Sequence, residues 1–196
     1  SWDRTIVPKA FSRVVGLFPP DLIRVPAGAG RDQCEHYRHQ LDDMLNRMIS
    51  EYIDLAFIPA DNLWLVKIDP SQIDQVIANL CVNACDAITG EGKVTIKTSN
   101  IVLDDVYCRE HTGCVPGEYV LVAVSDNGCG IDKETLKNIF EPFFTTKETG
   151  KGTGLGLATV YGIVKQNNGF VSVDTKLGEG TSFYVYWPVA EKRTSK

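Results

Sequence analysis

The chain has 196 residues, 43% of them apolar and 23% charged, with a formal net charge of −5. That is the balance of a globular domain able to bury roughly 70% of its unfolded surface without a disulfide or metal staple, and it argues against nucleic acid as the main partner, which needs a concentrated positive field. No run of 18 apolar residues offers a membrane crossing, and Ser1-Trp2-Asp3-Arg4 lacks the apolar core of a secretion signal, so a cytoplasmic segment without membrane contact is expected.

Residues 1–37 contain Pro8, Pro19, Pro20, Pro26 and Gly28-Ala29-Gly30, which break any long period. They read as a linker or the remnant of a preceding segment. From 38 to about 53 the pattern turns helical, with Leu41, Leu45, Met48, Ile49 and Tyr52 at steps of three and four. Leu63 to Ile68 reads as a short strand.

Asp69-Pro70-Ser71-Gln72 is a helix start. Asp69 can cap, Pro70 suits the first helical position, and Gln72 can close a capping box. The predicted helix runs to about Ile88. Its apolar face is Ile73, Val76, Ile77, Leu80, Ala84 and Ala87. A second stripe, Gln72, Gln75, Asn79, Asn83 and Asp86, is polar yet poor in charge. A plain solvent face would be richer in Lys and Glu, so this stripe is aimed at something. Side-chain amides offer oxygen to a hard cation without adding charge, which suits a magnesium already held by phosphates.

Strands are predicted over 94–103 and 119–125, a short helix over 132–140, a further helix over 154–166, and a closing hairpin from 170–176 and 181–187. Helices and strands mix without strict alternation. The predicted fold class is α+β, a two-layer sandwich with a mixed, mostly antiparallel sheet covered by helices on one face. The unit spans residues 38–190, with a charged tail at 191–196.

Six cysteines, at 34, 81, 85, 108, 114 and 129, are too sparse for a secreted disulfide framework. Cys81 and Cys85 suit neighbouring thiols on one helix. A zinc set from Cys108, His111 and Cys114 lacks the paired C-x-x-C spacing. A reducing compartment is expected.

Three further segments carry chemistry. Ser125-Asp126-Asn127-Gly128-Cys129-Gly130 ends a strand in a carboxylate and turns through glycines, which admit close approach to the backbone. Gly150-Lys151-Gly152-Thr153-Gly154-Leu155-Gly156-Leu157 runs straight into an apolar helix, whose exposed N–H groups would bind an anion. It is neither a Walker A loop nor a dinucleotide fingerprint. Ile139-Phe140-Glu141-Pro142-Phe143-Phe144-Thr145-Thr146-Lys147 places three phenylalanines beside that loop, where a solvated surface would not want them.

In chain order the four motifs, 79–87, 126–130, 140–147 and 152–157, resemble the N, G1, F and G2 boxes of the catalytic and ATP-binding domain of bacterial sensor histidine kinases, within the gyrase, Hsp90, histidine kinase and MutL superfamily. The sub-style of Glu141 to Lys147 is similar to nitrogen-regulator-like and hybrid kinases, and the likeness covers about residues 40 to 190. The resemblance implies the Bergerat fold, with ATP and Mg2+ as ligands. Asn83 would hold the magnesium. Asn79 would stand where hydrolysing relatives carry a catalytic glutamate. Asp126 would accept the adenine amino group, with Thr181 nearby through a water. Gly128 and Gly130 would admit the base. Gly152, Gly154, Leu155 and Gly156 would present the phosphate-binding backbone, Lys147 or Lys151 would neutralise charge, and Asp86 would complete the pocket. Residues 141–153 would be the ATP lid, and the phenylalanines would face dimerisation helices.

One departure is informative. His36, His39 and His111 precede Tyr37, Gln40 and Thr112, and none resembles a phosphoacceptor box. The resemblance therefore implies a kinase half, expected to be a monomer in isolation. It would act on a histidine in a separate dimerisation domain, with a response regulator downstream. A nucleotide-responsive interaction module, or a gyrase- or Hsp90-like ATPase, is the alternative.

Overall fold

The computed structural model describes residues 53–110, 114–147 and 152–190. Nine elements follow in chain order: β1 (Ile53–Ile58), α1 (Pro70–Ala87), β2 (Gly92–Leu103), α2 (Asp105–Glu110), β3 (Gly117–Asp126), α3 (Lys133–Asn138), α4 (Gly156–Gln166), β4 (Phe170–Lys176) and β5 (Gly180–Pro188). The five strands form one sheet in the order β1-β2-β3-β5-β4. The β1–β2 pair is parallel and the other three are antiparallel. This is the mixed, mostly antiparallel sheet expected of the sequence.

Strand alternation separates two apolar layers. On one face, Val94 and Ile96 of β2, Val122 and Val124 of β3, and Phe183, Val185 and Trp187 of β5 meet α1 and α4. The helices contribute Val76, Ile77, Leu80 and Ala84 from α1, and Val160, Ile163 and Val164 from α4. Each fully buried Val or Leu here is worth roughly 1.5–3 kcal/mol of transfer free energy, so this layer holds the sandwich together. The opposite face carries a smaller cluster of Leu103, Tyr119, Phe170 and Tyr186. Tyr107 of α2 reaches onto it, its hydroxyl 2.9 Å from that of Tyr186. A helix on that second face was not expected.

The start of α1 obeys the predicted logic with one change. Asp69 Oδ1 accepts from the Ser71 N–H at 2.9 Å and from the Ser71 hydroxyl at 2.8 Å, with Pro70 behind it. Gln72, however, does not close a capping box: its Oε1 accepts from Asn167 Nδ2 at 2.9 Å, which ties α1 to the end of α4. Asp69→Ala is expected to lower stability by about 1 kcal/mol, the usual cost of losing a cap. Urea titration, with an unchanged slope, is the check.

Two sequence readings change. Leu63–Ile68 is not a strand; only Val66 bridges, to Val189, while Leu65 lies 81% exposed. The strand that pairs with β2 is instead β1, whose Ile53, Leu55 and Phe57 pack against the core. The predicted short helix shrinks to α3, capped by Asp132, whose carboxylate accepts from the Glu134 and Thr135 N–H groups at 2.9 Å. The predicted helix over 38 to about 53 lies outside the described residues except at Ile53, which opens β1, and the tail at 191–196 lies outside them altogether.

Cys81 and Cys85 are buried and form no disulfide, as expected of neighbouring thiols on one helix. Burial first, and the neighbouring Cys85 second, push the Cys81 thiol up to about 12, so it is chemically quiet at neutral pH. Cys108 and Cys114 form a disulfide, which the expectation of a reducing compartment does not predict. His111, the third member of the zinc alternative, lies outside the described residues. No described helix is long and apolar enough to cross a membrane.

Candidate nucleotide site

A cavity of about 400 Å³ opens between α1, the end of β3, the start of β5 and the segments that flank α3 and α4. Its first wall is the polar stripe of α1. Asn79, Asn83 and Asp86 all line the cavity, while Val76, Leu80 and Ala84 on the same helix face the core. The spacing of three and four residues therefore divides one helix between folding and binding.

The second wall is set by strand register. Asp126, the last residue of β3, stands opposite Thr181 on β5. Both line the cavity. Thr181 is almost fully buried, its hydroxyl 3.0 Å from that of Thr175. Burial raises the Asp126 carboxyl above its ordinary range, and bonds from the Gly128 and Thr181 N–H groups partly offset this. The Gly128 N–H donates to Oδ1 at 2.8 Å, which fixes the carboxylate's orientation.

The glycines play different roles. Gly130 lines the cavity at a φ of +70°. A side chain there would run into the backbone of Lys176, so the turn requires glycine on both counts. Gly128 does not line the cavity, against expectation. A Cβ there would lie 2.6 Å from the Ala87 carbonyl oxygen. It admits the end of α1 rather than a ligand, and the Cys129 N–H donates to that same carbonyl at 2.9 Å.

The third wall is the start of α4. Gly152, Gly154 and Gly156 line the cavity, whereas Leu155 does not and stands 40% exposed. No side chain caps α4, so its first N–H groups lack the usual local acceptor. A Cβ on Gly156 would lie 3.3 Å from Asn79 Oδ1 and 3.8 Å from Asn83 Nδ2. The two amides of α1 thus face an uncapped helix terminus across a space that one methyl group would crowd. The Phe143 N–H donates to the Gly154 carbonyl at 2.9 Å, which joins the two ends of the intervening segment. Within that segment, residues 148–151, and with them the candidate Lys151, lie outside the described residues.

Lys147 reaches the cavity from the other side, and its Nζ is 2.5 Å from Asp86 Oδ2. Sequence reasoning missed the apolar floor. Val82, Ile131, Ile139, Phe144 and Phe183 line the cavity, mixed with the polar groups already named. Such a floor suits the faces of a planar base. Phe144 is the one of the three phenylalanines that lines it, and Phe143 points away at 75% exposure.

Residues 68–191 match the family model described as "Histidine kinase-, DNA gyrase B-, and HSP90-like ATPase". The chain belongs to that family. Among curated relatives of this ATPase domain, sensor kinase CckA of Brucella abortus is 45% identical over 152 residues, covering 76% of this chain and 16% of its own. Sensor histidine kinase ZraS of Escherichia coli K12 is 35% identical, covering 91% of this chain and 42% of its own. The chain thus spans less than half the length of either. Among solved structures, a nucleotide-free catalytic domain of histidine kinase ThkA superposes with a TM-score of 0.59 at 28% identity, covering 79% of this chain and 91% of that one. Full-length ShkA in complex with AMPPNP superposes with a TM-score of 0.59 at 26% identity, covering 92% of this chain and 35% of its own. The five-stranded sheet with its helix layer is therefore the ATP-binding fold of this family.

Proposed function

We propose that residues 38–190 form the ATP-binding kinase domain of a cytoplasmic two-component sensor histidine kinase. The domain binds ATP with Mg2+ and transfers the γ-phosphoryl group to a histidine on a dimerisation domain, from which a response regulator is later charged. The observation that carries this reading is the facing of Asn79 and Asn83 with the uncapped start of α4 across the cavity. Amide oxygen on one side and free N–H groups on the other suit a polyphosphate with a hard cation.

The roles follow from position. Asp126 accepts from the amino group of adenine at the strand-fixed end, with Thr181 beside it. Gly130 and the apolar floor admit the ring. Gly152, Gly154 and Gly156 let the phosphates approach the backbone. Asn83 would hold magnesium, which when bound neutralises phosphate charge. Asn79 and Asn83 are uncharged, so they add no repulsion of their own. An amide at position 79 cannot act as a strong base toward water, which favours phosphoryl transfer over the gyrase- or HSP90-like hydrolysis. The domain's contribution is chiefly positioning and charge neutralisation, as phosphoryl transfer requires. Exposed Phe143 offers an apolar contact for the dimerisation helices.

The test mixes this chain with a dimerisation domain of a similar kinase, labelled ATP and magnesium. Phosphoryl label should appear on the supplied domain in an acid-labile, alkali-stable linkage, as expected of phosphohistidine. ATP binding without any transfer would leave the interaction-module alternative standing.

A further inference from the structure

Asp86 poses a chemical difficulty for the nucleotide reading. It lies one helical turn beyond Asn83 on the stripe that lines the cavity, about 5 Å further along the axis. A bare carboxylate there would repel a triphosphate. The structure supplies its counter-charge, since Lys147 Nζ sits 2.5 Å from Asp86 Oδ2 across 61 residues of chain. We infer that Asp86 is a positioning residue: it acts on the nucleotide through Lys147, holding the ammonium group at the cavity wall beside Asn83 rather than touching the ligand itself. This inference rests on the ATP-binding reading above.

Two further observations support the arrangement. A Cβ on Gly152 would come within 3.0 Å of Lys147 Cδ and 2.8 Å of Thr145 Oγ1. The missing side chain at 152 therefore leaves the channel through which the lysine stem runs. The Lys147 N–H also donates to Thr145 Oγ1 at 3.2 Å, which turns the backbone at the root of that stem. A lysine has a flexible four-carbon stem and no planar fork to pre-organise it. Without an anchor its charge would spread over many rotamers, and its mean effect at the phosphates would fall. The Asp86 carboxylate confines it, and the pair presents no net repulsion to the ligand.

The claim predicts a coupled pair of effects. Titrations of MgATP and of adenosine are measured on the wild type, Asp86→Asn, Lys147→Met and the double variant. Asp86→Asn should weaken MgATP about five-fold, the scale of a partly exposed ion pair, and Lys147→Met by at least as much because it also leaves the carboxylate bare. The double variant should be about five-fold weaker too, not about twenty-five-fold, because both changes remove one ammonium function. Adenosine, which carries no phosphate, should bind all four proteins alike, so a general loss of folding is excluded by the same data. Multiplicative losses, or an Asp86→Asn defect that persists with adenosine, would show a direct contact and overturn the inference. Tighter MgATP binding by Asp86→Asn would make the pair a barrier, which also overturns it. A wild-type chain that binds adenosine but not MgATP would instead sink the phosphate site, and one that binds neither would sink the nucleotide reading.

Discussion

Asn83→Ala should abolish the magnesium-dependent part of nucleotide binding while leaving adenosine affinity intact. The two ends of the cavity are built by different elements, which is why the effects separate. Asn83 projects from α1 toward the start of α4, whereas Asp126 and Thr181 are held by strand pairing at the other end. If Asn83 holds the magnesium as proposed, its loss removes charge neutralisation worth several kcal/mol at a phosphoryl centre. Phosphotransfer should therefore fall by about a hundred-fold or more. Calorimetric titration with an ATP analogue, with and without magnesium, reads the binding effect. If magnesium tightens the nucleotide as much in the variant as in the wild type, Asn83 does not hold the metal. The side chain is only partly buried and lies on the cavity-lining stripe of α1 rather than in the core cluster, so a collapse of the fold is not expected.

Asp126→Asn should weaken every adenine nucleotide, adenosine included, by roughly ten- to a hundred-fold. The estimate is that of a hydrogen bond to a charged acceptor, about 1.5–3 kcal/mol. An amide retains a carbonyl oxygen but brings an NH2 group, and two N–H donors, from Gly128 and Thr181, already face the carboxyl. Either the adenine amino group or these backbone donors would then meet a donor. The pH dependence has a definite sign. Burial raises the Asp126 carboxyl, so adenine recognition should fade on acidification at a pH above the ordinary carboxylate range. Stability moves the other way for this one group. Between the unfolded and the raised folded values the folded chain binds more protons, so its contribution is present at low pH and lost as pH rises through the folded value. The Asn variant should show neither limb. Adenosine titrations across mildly acidic pH decide the point, and a wild-type profile identical to that of the variant would count against the assignment.

Much of this could be read without coordinates, and the pattern of success is physical. α1 was legible because two periodicities coincide on it, an apolar one for the sheet and an amide-rich one for the cavity. The hairpin of β4 and β5 was legible because alternation and Gly178-Glu179-Gly180 agree. β1 was missed although Ile53, Leu55 and Phe57 alternate, because it abuts a helical pattern and only its parallel partner β2 makes it a strand. The run 63–68 misled for the opposite reason: its composition suits a strand, but only Val66 finds a partner, at Val189 just past the end of β5. In the site, the motifs that build the polar walls were singled out in the sequence, whereas the apolar floor was not. What sequence could not show is that Gly128 serves helix packing, that Lys147 pairs with Asp86, and which of the three phenylalanines enters the cavity. Each of these depends on a contact between segments far apart in the chain.

The pairing of Asp126 with Thr181 has a consequence for how the domain sorts its ligands. Strand register moves only in whole residues, and a slip of one would carry the Val122 and Val124 side chains out of the sandwich. On the proposed assignment, purine selection is thereby tied to the integrity of the core: any change loose enough to relax it would unfold the sheet first. The opposite end carries no such guarantee. Among the described residues, nothing regular intervenes between α3 and α4, so in the proposed site sensitivity to phosphate number and metal would be free to drift in evolution while the choice of base stays fixed.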